Sequence, residues 1–150
     1  MQLALERTVN VPAPPAEAWA LLRDVPRLSA CIPKVSDVRA LDGDTRYAAM
    51  VADRIGPFAL AVPVTIEVTE VEEPRRIAAD LAGDDKRGQA RVRGSLEAIA
   101  AEAAQGTQLR LSMRLEVLGK LATLGAVPIR RRADEVFSEF VQRVEAELAA

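Results

Sequence analysis

Residues 108–117 read "QLRLSMRLEV", a stretch in which Leu109, Leu111, Met113, Leu115 and Val117 alternate with Arg110, Ser112, Arg114 and Glu116. Successive side chains of an extended chain point to opposite faces, so this spacing puts every apolar group on one side and the charged groups on the other. A strand written this way belongs to an antiparallel sheet with one dry face and one wet face. Something must cover the dry face.

The segment that follows supplies the cover. Beyond Gly119, residues Ile129, Ala133, Val136, Phe137, Phe140, Val141, Val144 and Leu148 recur at helical spacing, the pattern of a long amphipathic helix. Pro128 lies inside this stretch, so "GKLATLGAV" (119–127) reads as a separate turn or as the kinked beginning of the same helix.

Upstream, the same alternation returns. Phe58, Leu60, Val62, Val64, Ile66 and Val68 share one parity, opposite Ala59, Ala61, Pro63, Thr65, Glu67 and Thr69. Pro63 has no N–H to give to a ladder, which points to a bulge or a sheet edge there. Further strands are expected at "VSDVRAL" (35–41), "TRYAAMVADRI" (45–55), Ile77–Leu81 and Gln89 to about Ala98, separated by the turn signals "DGD", "GP", "EEPRR" and "GDDKRG". At the N-terminus, "LALERTVNV" (3–11) suits a first strand and "PAPP" an extended turn. "AEAWALLRD" (16–24) then forms a short helix burying Ala18, Trp19 and Leu22. Asp24, Val25 and Pro26 interrupt it before "RLSACI" (27–32) makes a second brief helix.

This order predicts an α+β helix-grip fold, with residues 1–150 as one domain. A curved antiparallel sheet of about seven strands wraps the C-terminal helix, two short helices follow the first strand, and a hollow lies between sheet and helix.

Composition narrows the function. The chain has 150 residues, 49% of them hydrophobic and 28% charged, as in soluble globular proteins. Twenty basic and 22 acidic residues leave a formal charge of −2, without the electrostatic footprint of a nucleic-acid binder. One cysteine and no histidine exclude an internal disulfide and the usual zinc and triad constellations. No signal peptide and no spanning run is apparent, so the default address is the cytoplasm. Cys31, in "SACIPKV" (29–35), has no base to activate it and reads as a small buried residue in a turn.

Four blocks carry a resemblance: "VPAPPAEAWALLRDVPRLSACIP" (11–33), "IGPF" (55–58), "GTQLRLSMRLEVLGKLATLG" (106–125) and "ADEVFSEFVQRV" (133–144). Over nearly its whole length the chain resembles the carbon monoxide dehydrogenase CoxG branch of the START-like, or SRPBCC, superfamily. Lys34 stands where glycine is usual in that family, and Pro128 with Arg130, Arg131 and Arg132 is less typical. The resemblance implies an accessory role without catalytic residues: service to a molybdenum-containing carbon monoxide dehydrogenase-type enzyme, through membrane recruitment or carriage of a quinone. Longer members carry a membrane-anchoring tail. Here the expected contact with a membrane is peripheral, at the inner face of the cell membrane.

Parity places Leu60, Val62, Val64, Ile66, Leu109, Leu111, Met113 and Leu115 on the inner face; with Trp19, Leu121, Leu124 and Phe137 they form the candidate cavity lining. One Trp, one Tyr and three Phe leave little to fill the interior, so a cavity on the order of several hundred Å³ is expected. Close packing is the alternative. The expected occupant is an apolar molecule, a quinone or a lipid, with no intrinsic cofactor and no metal. Lys120, Gly125, Pro128, Arg130, Arg131 and Arg132 form a candidate cavity lip or membrane or partner contact. Their alternative is a solvated face, with Arg130–Asp134 and Arg131–Glu135 as helical ion pairs. A polyketide cyclase or aromatase-like enzyme is the rival reading, and would need Tyr47, Asp53, Arg54, Asp80 or Arg93 to reach the hollow. A protein-binding adaptor with a filled core is the third.

Overall fold

The computed structural model describes residues 1–149. Strand β1 (Gln2–Val11) leads into helices α1 (Pro15–Arg23) and α2 (Val25–Ser29). Strands β2 (Val35–Asp42), β3 (Arg46–Ile55), β4 (Phe58–Glu72), β5 (Arg76–Asp84), β6 (Arg91–Ala103) and β7 (Gly106–Leu118) follow as an antiparallel meander. A 3-10 helix (Lys120–Leu124) then hands over to the long α3 (Ala126–Glu147). The seven strands form one sheet in the order β1-β7-β6-β5-β4-β3-β2, with β1 closing back on β7. No helix among the described residues is long and apolar enough to cross a membrane.

The alternation in β4 and β7 sets the faces. Leu60, Val62, Val64 and Ile66 are buried while Ala59, Ala61, Pro63, Thr65 and Glu67 are exposed. Pro63 lies just past the last β4–β5 partners, Val64 and Gly83, so its β5 side is open. It marks an edge. The irregularity in that ladder falls instead between Val68 and Glu70.

Several local expectations are corrected. The second short helix begins at Val25 rather than Arg27, because Asp24 caps it by accepting the backbone N–H of Arg27 at 3.1 Å and Pro26 sits in its first turn. β5 runs on to Asp84 and β6 to Ala103, since both ladders continue through residues whose side chains do not alternate cleanly. "KLATL" is a separate 3-10 helix, and Pro128 lies in the first turn of α3, where its missing N–H leaves no helical bond unmade.

Two backbone positions tighten the frame. Gly106 has φ +131°, and a Cβ there would run into the carbonyl of Val11 at the end of β1. Lys34 holds φ +71°, so it keeps the left-handed backbone that a glycine would take there. Its carbonyl accepts the N–H of Ala52 at 2.9 Å, fixing the turn against β3.

Ion pairs fasten α3 to both arms of the sheet. Arg7 on β1 bonds Asp134 at 2.6 Å, with its guanidinium 5.7 Å from the centre of the Phe137 ring. Arg132 bonds both carboxylate oxygens of Asp53 on β3 at 2.9 Å and reaches Glu135 at 2.9 Å. These replace the expected Arg130–Asp134 and Arg131–Glu135 pairs: partners from the sheet and from the next turn hold both acids, and Arg130 and Arg131 form no ion pair among the described residues.

Candidate ligand-binding site

Between α2, α3 and the inner face of the sheet lies an apolar cavity of about 150 Å³. Its roof is Leu22 of α1, Val25 and Leu28 of α2, and Ile32 just beyond. Its floor is Ile66, Val68, Ile77, Ala79, Leu96, Ala98, Leu111 and Met113, and its third wall is Val136, Phe137 and Phe140 of α3. The Phe137 and Phe140 rings stand 6.1 Å apart, tilted against each other. Leu28, Ile32, Val68, Val136 and Phe140 are half-buried, which puts the mouth between α2 and α3.

The size follows from the side chains. Alanines 79 and 98 leave space along β5 and β6, while the α3 phenylalanines and the α1–α2 leucines press in from above. The result is smaller than the several hundred Å³ expected. An apolar hollow of about 150 Å³ admits roughly one benzene-sized group.

Of the residues nominated from sequence, Ile66, Leu111, Met113 and Phe137 meet in this cavity. Trp19 and Leu109 are buried in the same half of the core, outside the lining. Leu60, Val62, Val64 and Leu121 form a separate packed cluster with Leu3, Val117 and Ile129, against which Leu115 and Leu124 lie half-buried. Lys120, Gly125, Pro128, Arg130, Arg131 and Arg132 are all outside the cavity lining, at the end of the sheet that this second cluster fills. Leu22, Val25, Leu28, Ile32, Ile77 and Phe140 were not nominated. A signal for part of that set exists: Val25, Leu28, Ser29 and Ile32 fall at i, i+3, i+4 and i+7 behind a capping aspartate.

Polar groups do not converge on the hollow. Ser29, Glu97 and Ser112 are its polar wall residues, and Arg76 at 2.7 Å holds the Glu97 carboxylate on the outer face. Tyr47 is buried beside Val25 and Ile66, where burial pushes its phenol above the usual range and Asp44 adds to the effect. Asp53 faces α3 and is taken by Arg132. Burial alone would raise its carboxyl, but the bonds from the Arg132 side chain and the Arg54 backbone outweigh that and hold it below its ordinary value. Asp80, Arg54 and Arg93 are exposed on the outer face. Cys31 is buried with its thiol 3.8 Å from the carbonyl of Arg27. Burial and nearby Glu147 push the thiol up, away from a reactive thiolate.

A curved sheet gripping a long helix defines the Bet v 1-like, helix-grip fold, and solved structures share it. Ara h 8.0201 superposes with a TM-score of 0.69 at 11% identity over 99% of this chain and 98% of that one. The di-domain ARO/CYC protein StfQ of the steffimycin biosynthetic pathway gives 0.68 at 12% identity, over 99% of this chain and 51% of that one. A conserved protein from Geobacillus kaustophilus gives 0.84 at 24% identity, over 97% and 95%. The sequence profile of the carbon monoxide dehydrogenase CoxG family matches residues 8–149, and the chain belongs to that family. No curated protein sequence matches.

Proposed function

We propose that this protein is a non-catalytic carrier that takes the ring or a chain segment of an apolar molecule, a quinone or lipid, into the cavity between α2 and α3. It would serve a carbon monoxide dehydrogenase-type molybdenum enzyme. The observation that carries this reading is the hollow itself: predominantly apolar walls, with its one acidic lining residue held on the far side of the sheet. Membership of the CoxG family supports the choice of partner enzyme.

The physics is burial. Each Å² of apolar ligand surface removed from water contributes about 25 cal/mol, and the lining residues have no strong polar demand to satisfy. Space for roughly one ring means that an isoprenoid tail leaves through the mouth, between Leu28 and Phe140, unless α2 moves outward. Loading at the inner face of a cell membrane and delivery to the enzyme would complete the cycle.

Organic extraction of protein purified from a quinone-producing host, followed by mass spectrometry, tests the reading. A near-stoichiometric quinone or lipid is the expected result. An empty extract, with no binding of added quinone, would sink it.

A further inference from the structure

The outer face of the sheet pairs its charges along most of its width. Arg76 bonds Glu97 at 2.7 Å, Arg91 reaches Asp84 at 3.2 Å and Arg110 approaches Glu6 at 3.9 Å. Arg54 and Asp80 stand on this face as single charges without an ion pair among the described residues, and one further stretch gathers unpaired arginines. There the registers of β1, β7 and β6 align three cross-strand rows: Gln2–Glu116–Arg93, Leu3–Leu115–Gly94 and Ala4–Arg114–Ser95.

The middle row turns inward, where Leu3 is buried and Leu115 packs against the same cluster. Gly94 has no side chain, and a Cβ there would run into the carbonyl of Arg114. On the outer face the middle row is therefore a backbone floor between two walls. The groove so formed is open, with a volume of about 640 Å³. Arg93 stands on one wall, Arg114 on the other, and Arg130 from α3 completes the lining.

Among the described residues, none of these three arginines has an ion-pair partner. Glu116 is the one carboxylate of the lining; it lies across from Arg93 in register yet accepts only from the Gln2 amide, at 3.4 Å. Positive charge is in excess, on opposite walls. A single carboxylate would engage one guanidinium fork, whereas a polyvalent oxyanion can bridge the two walls.

We propose that this groove binds the phosphate moiety of a small soluble molecule. The site is independent of the apolar cavity, since the groove occupies the wet face and the cavity the dry one. Each can fail alone.

Pyrophosphate is the probe, titrated into the full chain at constant ionic strength while amide resonances of Leu3, Gly94 and Leu115 are followed by NMR. Saturable shifts are expected. The double variant Arg93→Gln/Arg114→Gln should weaken binding by more than about tenfold, and Arg131→Gln, outside the groove, should not. Thermal melts of the variants report folding, and uptake of an apolar probe reports the cavity; neither should change, because the groove side chains are exposed. Shifts that chloride reproduces at equal ionic strength, or that survive the double variant, overturn the proposal. Binding to phosphatidylglycerol vesicles without binding of pyrophosphate also overturns it, in favour of a lipid surface.

Discussion

Two regions of the core lie under one sheet and are built differently. In the first, the 3-10 helix and the start of α3 press Leu121 and Ile129 onto Leu3, Leu60, Val62, Val64 and Val117, and the space closes. In the second, α2 and the aromatic stretch of α3 span alanine-bearing strands, and a hollow of about 150 Å³ remains. The apolar alternation of the strands is as regular under one region as under the other. What differs is the roof together with the small side chains on β5 and β6 beneath it, so whether a dry face becomes a core or a cavity is decided by side-chain size and by the elements laid over it.

The largest test removes the plug. Leu121→Ala should destabilise the fold by about 3 kcal/mol, because it opens a void in a closed cluster, while Met113→Ala beside the existing hollow should cost about 1–2 kcal/mol. Chemical denaturation of both variants checks the order. Equal losses would break the distinction between the two regions.

Next in size is the opposite change. Ala49→Leu in the closed cluster should cost about 2 kcal/mol through overpacking, whereas Ala98→Leu grows into the hollow, costs under about 1 kcal/mol and weakens apolar-probe binding more than about tenfold. Melting curves and a fluorescence titration measure both. Unaltered probe binding in Ala98→Leu would show that the hollow is not where the probe goes.

A smaller effect concerns how α3 is fastened over the closed region. The folded-state value of Asp53 is depressed, so its contribution is present above its ordinary value of 3.8 and is lost as the pH falls below it. Asp53→Asn should therefore cost about 1–2 kcal/mol at neutral pH, with the difference from the parent shrinking under acid. Denaturation at pH 7 and at about pH 3 gives the comparison. A gap that stays constant would assign the loss to packing rather than charge.

The smallest is a gain. Lys34→Gly should stabilise by about 0.5 kcal/mol, as the relief of a left-handed φ slightly exceeds the added freedom of the unfolded chain. A melt no higher than the parent's would mean that the Lys34 side chain contributes something the backbone does not reveal.

The sequence made the sheet legible and the site only partly so. Period-two alternation in β4 and β7 leaves one choice of inner face, and the helical spacing from Ile129 to Leu148 leaves one element to cover it. Position along that face is another matter. Whether Leu60 or Ile77 looks into open space depends on the curvature of the sheet and the placement of α3, which alternation does not encode. Ile66, Leu111, Met113 and Phe137 were in reach because they lie where parity and roof coincide. The α2 wall was missed because Pro26 reads as a breaker, although at the second position of a helix it is tolerated. The ion pairs went astray for a similar reason: i,i+4 spacing favoured Arg130 and Arg131, while Asp134 takes Arg7 from the sheet and Glu135 takes Arg132 three residues back on α3.

The closure of β1 onto β7 has a consequence for how the molecule assembles. Strands β2 to β7 each pair with their neighbour in sequence, but β1 finds its partner across most of the described chain, from Gln2 opposite Glu116 to Val11 opposite Thr107. Contacts of such separation form slowly, because closing the long loop between the partners costs entropy before the contact offsets it. β1, the first of the seven strands to leave the ribosome, waits for the last of them before it docks, and Arg7 cannot hold α3 until it does. Pulse-labelled hydrogen exchange during refolding should find its amides among the last protected.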